Sequence, residues 1–272
     1  SCLLAVWVFY RSRVAGSMFR FLFDREAWLG ASARLDYALV VFNGFIKVLL
    51  LGQFVLYGLY IGAWLNQSLT SWLGDSPLIL HPFVVVAVYT VVYTAVGDLS
   101  VYLIHRLMHR VPWLWGFHSV HHSATTLTPV TQLRLHPVEL VINNVRAFVV
   151  FGLLTGVFEY ISGGRIETLT FLGANVFSFL FFVFGANLRH SHIRLRYWPA
   201  IEHIFVSPFQ HQIHHSTDPE HHDRNFGSKL AVWDWVFGTL VTSKGVEDLR
   251  FGLDDQQSHC QDLLSALMRP FR

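Results

Sequence analysis

The sequence predicts an all-α integral membrane protein, in which four transmembrane helices form two hairpins and carry a cytoplasmic helical cap. Three observations support this fold class. The 272 residues are 53% hydrophobic and 14% charged, whereas soluble domains carry about 25% charged residues. Four stretches are apolar over roughly the 20 residues that a transmembrane helix needs. Fourteen of the sixteen histidines lie in two windows, which follow the second and the fourth stretch.

Three of the four stretches contain at most one charged residue. Residues 37–65 contain only Lys47, residues 77–104 contain only Asp98, and residues 168–188 contain none. Each is long enough to cross a bilayer as a helix.

The third stretch, residues 138–161, is less regular. Glu139, Arg146 and Glu159 interrupt it, although residues 147–158 are uncharged. Charges within a bilayer are costly, so part of this stretch could instead lie in the membrane interface.

Loop charges predict the orientation, because Lys and Arg collect on the cytoplasmic side of a membrane. Residues 66–76, the first loop, contain neither. We therefore expect the N-terminal segment and both histidine windows to be cytoplasmic. One domain is predicted, with an N-terminal segment (1–36), a four-span region (37–190) and a cap (191–272). The arginines that precede the first span are Arg11, Arg13, Arg20, Arg25 and Arg34.

Charge and cysteine content exclude several classes of protein. Twenty Lys and Arg against eighteen Asp and Glu give no basic patch, which argues against a nucleic-acid partner. Cys2 and Cys260 lie near opposite ends of the chain, which excludes a disulfide framework and a cysteine zinc site. The sequence also contains no GxGxxG fingerprint, no CxxCH haem motif and no iron–sulfur cysteine pattern.

Three histidine clusters have helical spacing. HRLMH begins at residue 105, HSVHH at residue 118 and HQIHH at residue 211, and side chains three and four residues apart share one face of a helix. Histidine rings from several segments are a common way to build a metal site. The clusters contain His105, His109, His118, His121, His122, His211, His214 and His215.

The number of rings is too large for one metal ion. At about four to six donors per ion, the three clusters and His190 suffice for two ions, and nitrogen donors suit iron, zinc, copper or nickel. The Glu-x-x-His pairs of ferritin-like carboxylate sites are absent from both windows. An isolated histidine is more often a cap or an interfacial residue, but three clusters on one predicted membrane face indicate a metal centre.

At these motifs the chain resembles the integral-membrane fatty acid hydroxylase and sterol desaturase superfamily. The resemblance covers residues 105–239 and depends on the order and spacing of several motifs. Besides the three clusters, these motifs are RLHPVE (134–139), NLRHSH (187–192), DRNFG (223–227) and WDWVFGT (233–239).

The resemblance implies a four-helix membrane anchor with a cytosol-facing centre of two non-haem iron ions. Such a protein uses O2 and two electrons to hydroxylate or desaturate a C–H bond of a membrane lipid, which could be a sterol, a fatty acyl chain or a related lipid. The electrons come from an external donor, either a cytochrome b5-like protein, a ferredoxin or a flavoprotein reductase. The alternative is a catalytically inactive metal-binding or scaffold subunit, which would have no need to keep all three clusters complete.

The resemblance also implies the metal ligands. His136 matches a histidine of the sterol-acting branches and is either a ligand or a residue that orients one. Some hydroxylases have a second histidine four residues after the one at position 190, where this chain has Arg194, and His192 or His222 could replace it. The ligands carried over are His105, His109, His118, His121, His122, His190, His211, His214 and His215.

Two further polar residues are candidates near the metal. Asp98 lies in an apolar stretch, where a carboxylate is costly and usually functional; we expect it to orient a ligand histidine through a hydrogen bond. Asn225 could hold a water molecule near a metal or could stabilise a turn.

Overall fold

The computed structural model describes residues 2–12, 16–76, 81–163, 176–253, 260 and 262–271. Within these residues the secondary structure is helical, with two isolated β-bridges and no strand. This confirms the predicted all-α class. The α-helices are α1 (Cys2–Arg11), α2 (Met18–Leu22), α3 (Arg25–Leu29), α4 (Ala31–Leu73), α5 (Pro82–Arg110), α6 (Pro112–His122), α7 (Pro137–Ser162), α8 (Val176–Val183), α9 (Pro199–Glu202), α10 (Pro208–His214), α11 (Val232–Val236) and α12 (Leu263–Met268).

Two helices of the described chain, α5 and α7, are long and apolar enough to cross a membrane. A third candidate is α4, which bends by 45° between its two parts, Ala31–Leu50 and Gln53–Leu73. The two parts qualify as a span only if they are taken together. These helices coincide with the first three predicted spans. Residues 168–175 of the fourth predicted span lie outside the described residues, and its described part consists of α8 (Val176–Val183) and a short 3-10 turn (Ala186–Leu188). Four spans and their orientation therefore remain predictions.

The chain forms two compact units. The first contains residues 1–45, 102–140 and 181–272, and the second contains residues 46–101 and 141–180. All nine predicted metal ligands lie in the first unit. The organisation as one domain remains a prediction.

In the second unit, α4 and α7 pack closely through glycines. A Cβ atom on Gly152 would lie 2.5 Å from the carbonyl oxygen of Gly58, and one on Gly156 would lie 2.6 Å from that of Gly62. Each helix therefore has a GxxxG pattern at the crossing. Small residues allow such close approach between helices in a membrane, where van der Waals packing drives association.

In the first unit, a buried ion pair joins the start of α4 to the segment before α7. Arg134 pairs through Nε with Asp36, and both side chains are almost completely buried. Thr131 donates to the second carboxylate oxygen of Asp36 at 2.7 Å, and Arg134 also donates to Ser123 at 3.1 Å. Because the buried side chains of Asp36 and Arg134 both have polar partners, they hold the segment before α7 in one conformation.

Candidate metal centre

The nine histidines form two groups. In each group, one ring nitrogen per residue lies within 4.8 Å of the corresponding nitrogens of all other members. The structure thus brings together all nine predicted ligands. The five-histidine group consists of His105, His109, His118, His122 and His214, and the four-histidine group consists of His121, His190, His211 and His215.

The helical repeat distributes each HxxHH cluster between both groups. Residues four apart on a helix point within about 40° of each other, whereas consecutive residues diverge by about 100°. His118 and His122 of α6 therefore join the five-histidine group, and His121 joins the other. In HQIHH the assignment is reversed, since the first and last rings join the four-histidine group and the middle ring joins the five-histidine group.

The four-histidine group is centred on one ring nitrogen. The Nε2 atom of His190 lies 3.1 Å from Nε2 of His121 and 3.0 Å from Nε2 of both His211 and His215. A single proton can satisfy one such pair but not all three. Ligand nitrogens about 2.1 Å from a metal ion and 90° apart are themselves about 3.0 Å apart, so this spacing fits a shared metal ion.

The five-histidine group also contains ring nitrogens that lie close together or have no hydrogen-bond partner among the described residues. Nε2 of His105 lies 3.1 Å from Nε2 of His118. The Nε2 atoms of His109, His122 and His214 are buried and have no hydrogen-bond partner among the described residues. Buried polar atoms normally have a partner, and a metal ion would supply one here.

Hydrogen bonds on the opposite ring nitrogen orient several of the rings. A ring that donates from Nδ1 keeps the lone pair on Nε2 for a metal. Three rings have backbone carbonyl acceptors for Nδ1: His105 with Phe226 at 2.9 Å, His214 with Arg224 at 2.7 Å and His121 with Arg134 at 3.2 Å.

Glu139 is a site residue that sequence reasoning missed. Its Oε1 atom lies 2.9 Å from Nδ1 of His118, and both side chains are buried. In the sequence, Glu139 is a charge that interrupts the third apolar stretch and the last residue of RLHPVE, and neither feature assigned it to the centre. Its place in RLHPVE, in the first turn of α7, is the available signal, because buried carboxylates commonly orient metal-binding histidines.

Burial keeps the rings neutral at pH 7. It lowers the pKa of His118 to about 3 and, together with the neighbouring His118, the pKa of His121 to about 4. Five further rings have lowered pKa values, mainly because they are buried and secondly because other imidazoles lie close to them. They are His122, His190, His211, His214 and His215. Neutral imidazole is the form that binds metal.

Two further histidine candidates lie in neither group. His136 accepts a hydrogen bond at Nδ1 from the Val138 amide at 3.1 Å, and its Nε2 faces the carbonyl oxygen of Leu267 at 3.2 Å. His192 donates from Nε2 to the carbonyl oxygen of Phe21. Backbone groups therefore occupy Nε2 of both rings, and Arg194 contacts the Glu247 carbonyl oxygen instead of the centre.

His222 lies beside the five-histidine group without being a member. It is exposed and lines a cleft of about 260 Å³. The rings of His109, His122 and His214 line the same cleft, together with Trp115. This cleft gives solvent a route towards the five-histidine group.

Asp98 and Asn225 are also outside both groups. Asp98 is completely buried in the second unit, where it interacts electrostatically with Arg146. Asn225 has φ of +53° and bonds to the backbone through both ends of its amide, donating to Gln210 and Val241 and accepting from Val241. Its contacts are those of a turn-stabilising residue.

Fold and site together define a helical protein with apolar, membrane-length helices and a histidine-rich candidate metal centre. The chain belongs to the fatty acid hydroxylase family, whose family model matches residues 90–239, more than half of the chain. The resemblance drawn from the motifs is thereby confirmed.

Several relatives have names that refer to reactions of lipids. Ornithine lipid hydroxylase OlsE of Rhizobium tropici is 26% identical over 65% of this chain and 48% of its own length. Alkylglycerol monooxygenase of Xenopus tropicalis is 27% identical over 84% of this chain and 45% of its own. The putative Delta(7)-sterol-C5(6)-desaturase 2 of Arabidopsis thaliana is 23% identical over 59% and 50%. The chain thus spans about half the length of these relatives, and no solved structure matches it.

Proposed function

We propose that this protein is a membrane-bound oxidoreductase that uses O2 to hydroxylate or desaturate a C–H bond of a membrane lipid. The observation that carries the proposal is the pair of largely buried histidine groups, in which nine rings bring ring nitrogens within 4.8 Å of one another. Neutral, desolvated rings packed this closely have no structural purpose that apolar side chains would not serve better.

The nine histidines would hold two metal ions, one in each group. Iron is the metal that the family resemblance implies, and bound iron would supply the activation of O2. Within the chain, Glu139 holds His118 in the tautomer whose Nε2 is free, and the carbonyl oxygen of Arg134 does the same for His121. Burial keeps bulk water away from the four-histidine group.

The substrate class follows from the family and from the membrane-length helices. The three relatives named above are called a lipid hydroxylase, a monooxygenase of alkylglycerols and a sterol desaturase, so we propose a membrane lipid as substrate. The electrons would come from an external cytochrome b5-like protein, ferredoxin or flavoprotein reductase. We place the active site on the cytoplasmic side of a four-span anchor.

Lipid mass spectrometry of cells that express the wild-type chain or His109→Ala tests this function. The wild type should produce a lipid that has gained one oxygen or lost two hydrogens, and His109→Ala should not. His81→Ala is the matched control, because His81 is exposed and belongs to neither group. Identical lipid profiles for wild type and His109→Ala, at equal protein levels, would contradict the proposal.

Elemental analysis of the purified protein tests the two-metal assignment separately. We expect two metal ions per chain in wild type and in His81→Ala, and fewer in His109→Ala. At most one ion per chain in fully active wild-type protein would show that only one of the two groups holds a metal.

A further inference from the structure

A groove of about 1000 Å³ lies beside α1, in the same unit as the histidine groups. None of the nine ligand candidates lines it. Its walls are mostly apolar, and its volume is at the upper end of the range for ligand pockets in proteins. The groove is therefore large enough for a ligand of its own.

The groove exists because only one face of α1 is packed. Ala5 and Val8 pack against Leu188 and Ile193 in a small core. Gly185, with φ of +102°, permits this close packing, since a Cβ atom there would lie 2.8 Å from a methyl group of Leu195. The adjacent face of α1 remains open.

Two tryptophans on the rim of the groove are exposed. Trp7 of α1 is 53% exposed and Trp198 is 78% exposed, and Phe184 beside them is also exposed. Tryptophans are enriched where proteins meet the interface between lipid and water, because one part of the ring is apolar and the other is polar. The rim has the composition of a surface that contacts lipid headgroups.

Three arginines, Arg11, Arg194 and Arg196, add positive charge to the rim. Arg194 lies 3.7 Å from the exposed carboxylate of Asp248. Arg196 lies over the ring of Phe209 at 4.3 Å and donates to the carbonyl oxygens of Ser243 and Val246.

Among the described residues, no carboxylate lies within 4.0 Å of Arg11 or Arg196. The two guanidinium groups therefore leave a net positive charge at the edge of an apolar groove. An arginine without a carboxylate partner can bind an anionic headgroup, and its planar donors suit phosphate oxygens.

We propose that this groove binds one acidic phospholipid, with an acyl chain along the apolar walls and the phosphate headgroup at Arg11 and Arg196. The charge of the rim selects an anionic over a zwitterionic headgroup, and the volume of the groove selects a lipid over a free anion. Binding requires neither metal nor turnover, so the proposal does not depend on the oxidoreductase function.

Native mass spectrometry of the purified full-length chain tests this site. The detergent-solubilised protein is mixed with equal amounts of phosphatidylglycerol and phosphatidylcholine that carry the same acyl chains. Wild type should retain phosphatidylglycerol preferentially. Each of Arg11→Gln and Arg196→Gln should lower the preference about five-fold, the effect typical of one basic residue at an anionic lipid surface. Arg25→Gln, an exposed arginine of α3 outside the groove, should leave it unchanged.

Two further measurements separate a lipid site from a simple anion site. Ser12→Trp places an indole in the groove and should lower retention of both lipids while metal content stays at the wild-type value. Glycerol phosphate at equal concentration should not displace the lipid. Equal retention of the two lipids by wild type, displacement by glycerol phosphate, unaltered retention in Ser12→Trp, or an equal effect of Arg25→Gln and Arg11→Gln would each overturn the proposal.

Discussion

The two histidine groups differ in how they are supported and how they are exposed. Three of five rings in the five-histidine group face an acceptor at Nδ1, and one acceptor is the carboxylate of Glu139. In the four-histidine group His121 has a carbonyl acceptor, whereas Nδ1 of His190 and His211 is buried and without a hydrogen-bond partner among the described residues. The five-histidine group also borders the cleft that contains His222.

This difference shows two ways of fixing a ring. Hydrogen bonds fix the five-histidine group beside a solvent cleft, and tight packing fixes the four-histidine group in a fully buried position. A carboxylate acceptor makes a ring more basic and a better metal ligand, which would compensate for water that enters through the cleft. We therefore expect the two groups to respond differently to substitution.

Removal of a ring should have the largest effect. His214→Ala in the five-histidine group and His121→Ala in the four-histidine group should each lose at least half of the bound metal and all activity, because each removes a ring nitrogen that lies within its group. Elemental analysis and lipid mass spectrometry measure both quantities. Full metal content in either variant would break the assignment of that ring to a metal.

Acid should destabilise the metal-free protein through both groups. Histidine in an unfolded chain has a pKa near 6.5, whereas folding lowers that of His118 to about 3 and that of His121 to about 4. The unfolded state therefore binds more protons below pH 6.5, and stability falls as the pH drops from about 6.5 towards 4. Each buried ring contributes roughly 1.4 kcal/mol per pH unit in this window.

Thermal unfolding of the metal-free protein between pH 7.5 and pH 5 measures this loss. His118→Gln and His121→Gln should each make the pH dependence shallower, because one titrating ring is gone from one group. A stability that does not change between pH 7.5 and pH 5 would contradict the neutral, buried state of both groups.

Asp36→Asn should weaken the four-histidine group from a distance. The substitution leaves the buried Arg134 without its carboxylate, which typically costs about 3–5 kcal/mol. The carbonyl oxygen of Arg134 is the acceptor for His121, so metal should be lost from the four-histidine group as well. Chemical denaturation measures the stability, with Arg34→Gln, an exposed residue of the same helix, as control. Equal stability of the two variants would contradict this role.

Glu139→Gln should have the smallest effect and should act on the five-histidine group. The amide keeps an acceptor oxygen but loses the charge that favours the Nδ1 proton on His118. Changes of this kind typically lower metal affinity about 10- to 100-fold. Competition with a chelator should show one weakened metal ion and one of wild-type affinity; two equally weakened ions would mean that the groups do not differ in support.

The sequence was sufficient to predict which rings meet, but not how they divide. Helical spacing places His118, His121 and His122 near one another, and family resemblance adds His190 from a non-helical segment. Helical spacing separates His118 and His122 from His121, but which rings of α6 meet which rings of α10 depends on how the two helices face each other, and spacing does not encode this. The same is true of Glu139, since its partner lies twenty-one residues earlier in the chain. The Asp36–Arg134 pair joins residues ninety-eight positions apart and has no local signal.

The consecutive residues His121 and His122 belong to different groups, and this has a consequence for assembly of the centre. An ion that holds either ring also restrains the backbone of the other, so binding of the first ion lowers the ordering entropy that binding of the second still costs. The second ion should therefore bind more tightly than it would to a centre in which the first group is empty. The covalent link between two neighbouring residues would thus couple the two ions, although each group keeps its own affinity.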